Sequence, residues 1–175
     1  MQLQDKYRIA LLSAYALALH GFENLLPTPF PWLRFGLANI ITLTALILYG
    51  MRAAIMVTLI RVILSSIFAG TFLGPAFMLS LGGGVASTLS MGLVLSVAPR
   101  LFSVIGVSLI GAFFHNVTQL FLAYFLFIQR IEAILLISPL IILIGTVTGT
   151  LNGIVSDLLI RNLKKTDEKI QNVKQ

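Results

Sequence analysis

Cysteine occurs nowhere in the chain, which excludes disulfides, thiolate metal sites and cysteine nucleophiles. Charge is scarce as well. Asp, Glu, Lys and Arg make up 10% of the 175 residues, whereas a soluble domain carries about 25%. So few charges cannot coat a water-soluble globule, and a chain that is 58% hydrophobic is not a disordered one. Acids are rarest of all: Asp5, Glu23, Glu132, Asp157, Asp167 and Glu168. Only Asp167 and Glu168 adjoin, and they lie in a polar C-terminal segment. No carboxylate pair is therefore arranged to hold magnesium against a diphosphate, and no nucleophile stands with a base. Gly82-Gly83-Gly84 lacks the Lys and Ser/Thr of a phosphate loop. It predicts a helix break or a close backbone approach instead. Enzymatic activity, a metal centre and a resident cofactor are not expected.

What is present is a series of long apolar runs, which are neither alternating nor short enough for barrel strands. They cover about Tyr7–Leu26, Leu33–Gly50, Ala53–Leu73, Ala76–Ala98, a span within Leu101–Ile128, and Ala133–Ile160. A membrane helix takes about 20 such residues. The expected fold is all-α, a bundle of six transmembrane helices. It forms one domain over 1–160, followed by a polar cytoplasmic tail over 161–175, expected as a frayed, solvated helix. The first run has a signal-peptide look, with Lys6, Arg8 and Ala16-Leu17-Ala18, but is expected to be a retained first span.

Orientation follows from the basic residues. With both termini in the cytoplasm, Lys6, Arg8, Arg52, Arg100, Arg161, Lys164, Lys165, Lys169 and Lys174 lie inside. Arg34 and Arg130 lie outside, and Arg61 lies within the membrane. That asymmetry predicts cytoplasmic termini in the cell membrane. The net charge of +6 is thereby assigned to orientation rather than to nucleic acid.

The few polar residues inside the runs are the functional candidates. Pro27, Pro29 and Pro31 make the first outer loop stiff, either as a spacer or as a lid over an outward-facing pocket. Glu23 and Arg34 stand at its ends, as a surface ion pair or as ligand contacts. Arg61 is roughly 12 Å deep by helical rise. It is expected to face the interior or to snorkel to headgroups, with Asn152 as predicted partner. Asp157 is expected to pair with Arg161 or Arg52. Asn39, His115, Asn116 and Gln119 form the remaining set, with Asn39 read as near the outer surface. They read either as interhelical glue or as the wall of a pocket for a small amphipathic molecule. Small-residue ridges recur at Gly145, Gly149 and Gly153, and at Ala10, Ala14 and Ala18. The first predicts packing within the bundle; the second admits docking of a partner membrane protein.

The stretch Glu23-Asn24…Pro27…Pro29…Pro31…Arg34-Phe35-Gly36-Leu37-Ala38-Asn39 resembles the E-N-x-x-P…P…K-L-G-L-A-N signature of the Gx transporter family. That family is often labelled heptaprenyl diphosphate synthase component I. Arg34 replaces the family's Lys, and Phe35 its Leu. Arg61-Val62-Ile63-Leu64 with Ser66, Gly70-Thr71-Phe72 and Pro75, continued by Leu79–Gly84, resembles a second block. His115-Asn116 with Gln119 resembles a third. The family is similar to the S components of energy-coupling factor (ECF) transporters. The resemblance implies six helices, a first outer loop that closes over the pocket, and capture of a vitamin, a flavin-like compound or a quinone or isoprenoid precursor. It makes Glu23, Asn24, Arg34, Asn39, Arg61, His115, Asn116 and Gln119 the substrate positions. It makes Ala10, Ala14 and Ala18 the docking ridge for a transmembrane coupling subunit joined to cytosolic ATPases. The synthase label fits poorly, because the chain has no DDxxD motif. Two alternatives stay open: a membrane subunit of a quinone or flavin electron-transfer system beside a flavoprotein, and an accessory subunit of a polyprenyl diphosphate synthase.

Overall fold

The computed structural model describes residues 3–23 and 36–173, with side chains over 7–19, 21–22 and 36–165. Among the described residues the chain is all-helical. The helices are α1 (Leu3–Glu23), α2 (Asn39–Tyr49), α3 (Met51–Phe68), α4 (Pro75–Val97), α5 (Val104–Ala123) and α6 (Ile131–Val173). A π-helical turn, Tyr124–Ile128, prolongs α5. Four helices are long and apolar enough to cross a membrane: α3, α4, α5 with its π turn, and α6. Their outward faces carry large exposed hydrophobic side chains, Phe68, Leu93, Phe121 and Leu136 among them. Surfaces of that kind suit lipid as the solvent, and the chain is a membrane protein.

One span departs from the expected length. α2 occupies Asn39–Tyr49, 11 residues, and the described residues just before it, 36–38, are not helical. At about 1.5 Å per residue it covers roughly half of the ~30 Å hydrocarbon layer. α6 continues through residue 160 to Val173, so the polar tail is helical over its described residues. Glycine makes the joint between α2 and α3. Gly50 alone links them at φ 84°, in the left-handed region that a side chain disfavours. Pro75 starts α4 at a position where its missing N–H costs nothing. The Ser103 side chain caps α5 by accepting from the Gly106 N–H at 3.2 Å.

Helix register is fixed by polar pairs. Asn152 Nδ2 donates to the Gly36 carbonyl at 3.0 Å, and the Ser156 hydroxyl donates to the Ile40 carbonyl at 3.2 Å. α2 and α6 therefore run parallel, with residue 36 level with 152 and residue 40 with 156. The Ser108 hydroxyl donates to the Gly149 carbonyl at 2.7 Å, and Gly153 packs on Ile105. α5 and α6 are therefore antiparallel. The glycine ridge of α6 faces α5 throughout, as its spacing predicts: Gly145 against Asn116, Gly149 against Ala112, Gly153 against Ile105. The main apolar core gathers Leu12, Ala16, Leu43, Leu46, Val57, Met91 and Val107 at the α2 level. Only a small second cluster, Leu120 and Ile141, lies toward the other end.

Candidate functional site

α4 sits between α3 and α5, and its glycines decide how closely they approach. The helix is continuous through Gly82-Gly83-Gly84, so the triplet acts by close approach rather than as a break. A Cβ on Gly83 would stand 3.0 Å from His115 Cε1 and Nδ1 and 3.1 Å from Gln119 Cγ. A Cβ on Gly84 would stand 3.1 Å from Thr58 Cγ2 and 3.3 Å from Arg61 Nη2. Two adjacent glycines thus seat Arg61 of α3 on one side and His115 and Gln119 of α5 on the other. His115 and Gln119, four residues apart, share one helix face.

All three side chains are buried, with Arg61 3%, Gln119 4% and His115 5% exposed. Arg61 thus faces the interior. Neither amide atom of Gln119 has a hydrogen-bond partner among the described residues. A buried polar group left so carries a desolvation cost of about 1–3 kcal/mol.

Asn39 begins α2, beside the Asn152–Ser156 stretch of α6. α2 and α3 are antiparallel about Gly50, with Thr42 level with Thr58, so Asn39, about one turn before Thr42, is level with Arg61, about one turn after Thr58. Asn39 Oδ1 is buried without a hydrogen-bond partner among the described residues. Asn152 is not Arg61's partner: its Nδ2 donates to the Gly36 carbonyl, and its Oδ1 accepts from no described residue. Gly36 is at φ 75°, and a Cβ there would stand 3.1 Å from Asn39 Nδ2. Asn116 points across the α5–α6 seam, where its Nδ2 donates to the Ile141 carbonyl at 3.4 Å. Asp157 pairs with Arg161 at 2.7 Å, as expected. Asn24 and Arg34 lie outside the described residues, and so does the Glu23 side chain. Ala10, Ala14 and Ala18 present an exposed ridge along α1.

Sequence reading missed a hydroxyl ladder beneath the group. Thr42 Oγ1 and Thr58 Oγ1 are 3.3 Å apart, Thr58 Oγ1 and Thr88 Oγ1 are 3.0 Å apart, and Thr88 donates to the Gly84 carbonyl at 2.8 Å. The ladder crosses α2, α3 and α4 and ends on the glycine that seats Arg61. Threonines inside apolar runs were its only sequence signal. Beyond the group, Ser65, Ser66, Thr71 and Ser80 surround a cavity of about 10 Å³, room for about one water. A larger cavity of about 460 Å³ lies elsewhere, between α1, α2 and α6. No group of three or more metal-ligating side chains occurs among the described residues.

Comparisons with known proteins fit this architecture. Residues 12–159 match the family described as heptaprenyl diphosphate synthase component I. A solved S component of a bacterial ECF transporter superposes with a TM-score of 0.74 at 22% identity, over 95% of this chain and 98% of that one. A search of curated proteins finds no match.

Proposed function

Because the chain belongs to the heptaprenyl diphosphate synthase component I family and shares the fold of an ECF transporter S component, we propose that it is a membrane-embedded substrate-binding subunit without catalytic activity of its own. The observation that carries this reading is the buried amide of Gln119, which has neither donor nor acceptor satisfied among the described residues. In a lipid-embedded bundle such a group needs a partner. A ligand that offers both an acceptor and a donor supplies one. Arg61 adds a permanent positive charge that suits an anionic group, and intramembrane ionisable residues mark ligand pathways. His115 adds a second polar contact on the Gln119 face.

The substrate is a small amphipathic molecule: a vitamin, a flavin-like compound, or a quinone or isoprenoid precursor. It enters from the outer side, with Glu23, Asn24 and Arg34 of the first outer loop at the mouth. Asn39 adds a polar contact level with Arg61, while Asn116 and Asn152 hold the scaffold. With no Walker motif in the chain, transport draws on separate ATPases through a coupling subunit docked on the Ala10, Ala14, Ala18 ridge. The absence of an aspartate-rich motif supports a binding role over the synthesis that the family's description mentions.

The test is thermal unfolding of the purified chain against a panel of vitamins, flavins and prenyl diphosphates. A true ligand raises the midpoint, because at 100 times its Kd it adds about 2.7 kcal/mol of stability. Gln119→Leu removes the unsatisfied amide. It should therefore unfold at a higher temperature than wild type without ligand, and should lose the ligand-induced rise. A Gln119→Leu protein that keeps the full rise would exclude this group as the site.

A further inference from the structure

The larger cavity has no place in the reading above. It runs between α1, α2 and α6, has a volume of about 460 Å³ and is lined by Arg8, Leu11, Leu12, Tyr15, Ala18, Leu19, Ile41, Tyr49, Leu159 and Leu163. Leu11 is 57% and Tyr15 56% exposed, so the cavity opens sideways along α1. That direction leads into the bilayer. Its volume falls in the ~300–1,000 Å³ range of small-molecule sites. Apolar side chains line its length, and the single charged group, Arg8, closes one end. The Arg8 guanidinium lies over the Tyr49 ring, 5.6 Å from its centroid. Leu163 lies at the same end, next to the exposed Lys164 and Lys165. Arg161 is there too, bound to Asp157.

We propose that this groove holds one acyl chain of an anionic phospholipid, with the phosphate at Arg8. Lipid tails are as apolar as leucine, so filling the groove with a chain gains little over leaving that chain in the bilayer. Selectivity comes from the headgroup. A basic rim between membrane helices attracts anionic headgroups, each Lys or Arg contributing about 1 kcal/mol. Charge complementarity therefore identifies the occupant, and the phosphate belongs to a lipid because the site continues into an apolar channel. Ala18 lines the groove at its far end, whereas Ala10 and Ala14 do not. The lipid thus lies beside the alanine ridge and leaves most of it uncovered.

The experiment uses the full chain in nanodiscs of phosphatidylcholine with or without phosphatidylglycerol, read by native mass spectrometry after release and by thermal unfolding. Wild type should retain phosphatidylglycerol over phosphatidylcholine. Arg8→Gln should reduce that preference about fivefold, the ~1 kcal/mol of one basic side chain. Ala18→Phe, which fills the apolar end, should reduce retention of both lipids. Inorganic phosphate alone should neither bind nor stabilise. Equal retention of the two lipids by wild type, an unchanged preference in Arg8→Gln, or stabilisation by free phosphate would each overturn the proposal. Retention of a protein by the groove in place of lipid would do the same. These readouts do not involve Gln119, so failure here leaves the substrate site standing, and the reverse holds.

Discussion

At Gly145 a single hydrogen atom in place of a side chain decides how two helices meet. The Asn116 amide occupies the space a Cβ would take, and it donates from there to the Ile141 carbonyl at 3.4 Å. Gly145→Ala must push α5 and α6 apart or expel Asn116. The expected cost is about 1–3 kcal/mol, the range for overpacking a well-packed interior. Gly21 in α1 provides the contrast, since nothing lies within 4 Å of a Cβ placed there. Gly21→Ala should be neutral or should stabilise, by up to about 1 kcal/mol from helix propensity. Thermal unfolding of the two variants in one detergent checks the pair, and equal midpoints would refute the close-packing account. The four-residue glycine spacing made this seam legible in the sequence, because a helix face repeats at that interval. Asn152 was not legible in the same way. Its acceptor is the Gly36 carbonyl, 116 residues away, and no local pattern announces a backbone partner at that distance.

α6 keeps its course through Pro139 with help from its neighbour. A proline lacks the N–H that would reach the carbonyl four residues earlier, here that of Leu135. The Ser138 hydroxyl donates to that carbonyl at 3.1 Å. In lipid this substitution of side chain for backbone matters, since no water replaces the lost bond. Ser138→Ala should therefore lower stability by about 1 kcal/mol. In a Pro139→Ala background, where the backbone N–H returns, the same change should cost far less. The double-mutant cycle in thermal unfolding measures that coupling, and additive effects would show that the hydroxyl does not serve the proline. The apolar runs announced each helix, and their punctuation announced the α3–α4 and α4–α5 turns. The depth of α2 was hidden. Its level is set by Ser156 and Asn152 gripping Ile40 and Gly36, and hydropathy carries no information about which turn of one helix faces which turn of another. The candidate site divides along the same line. The Gly83 and Gly84 seats gather Arg61, His115 and Gln119, whose helical spacing was readable, while Asn39 required the register.

Across the whole bundle, charge is sorted by end. Arg8 lies near the start of α1, Arg52 at the start of α3 and Arg100 between α4 and α5, while Arg161, Lys164 and Lys165 lie on the late turns of α6. The antiparallel pairing of neighbours brings these points to one end, whereas Arg130 stands at the other, just before α6. Basic residues stay on the cytoplasmic side during insertion, so the Arg8 end is expected to face the cytoplasm and Glu132 the outside. The absence of cysteine makes this directly testable, because an introduced thiol is unique in the chain. Leu101→Cys, at a side chain 82% exposed between α4 and α5, probes one end. Glu132→Cys, in the first turn of α6, probes the other. Neither change removes a basic residue, so the orientation signal is left intact. A membrane-impermeant maleimide added to intact cells should label Glu132→Cys at once and Leu101→Cys only after permeabilisation. The reverse pattern would put α6's first turn in the cytoplasm. The Gln119 group would then open inward, and capture from outside, as opposed to the binding chemistry itself, would have to be abandoned.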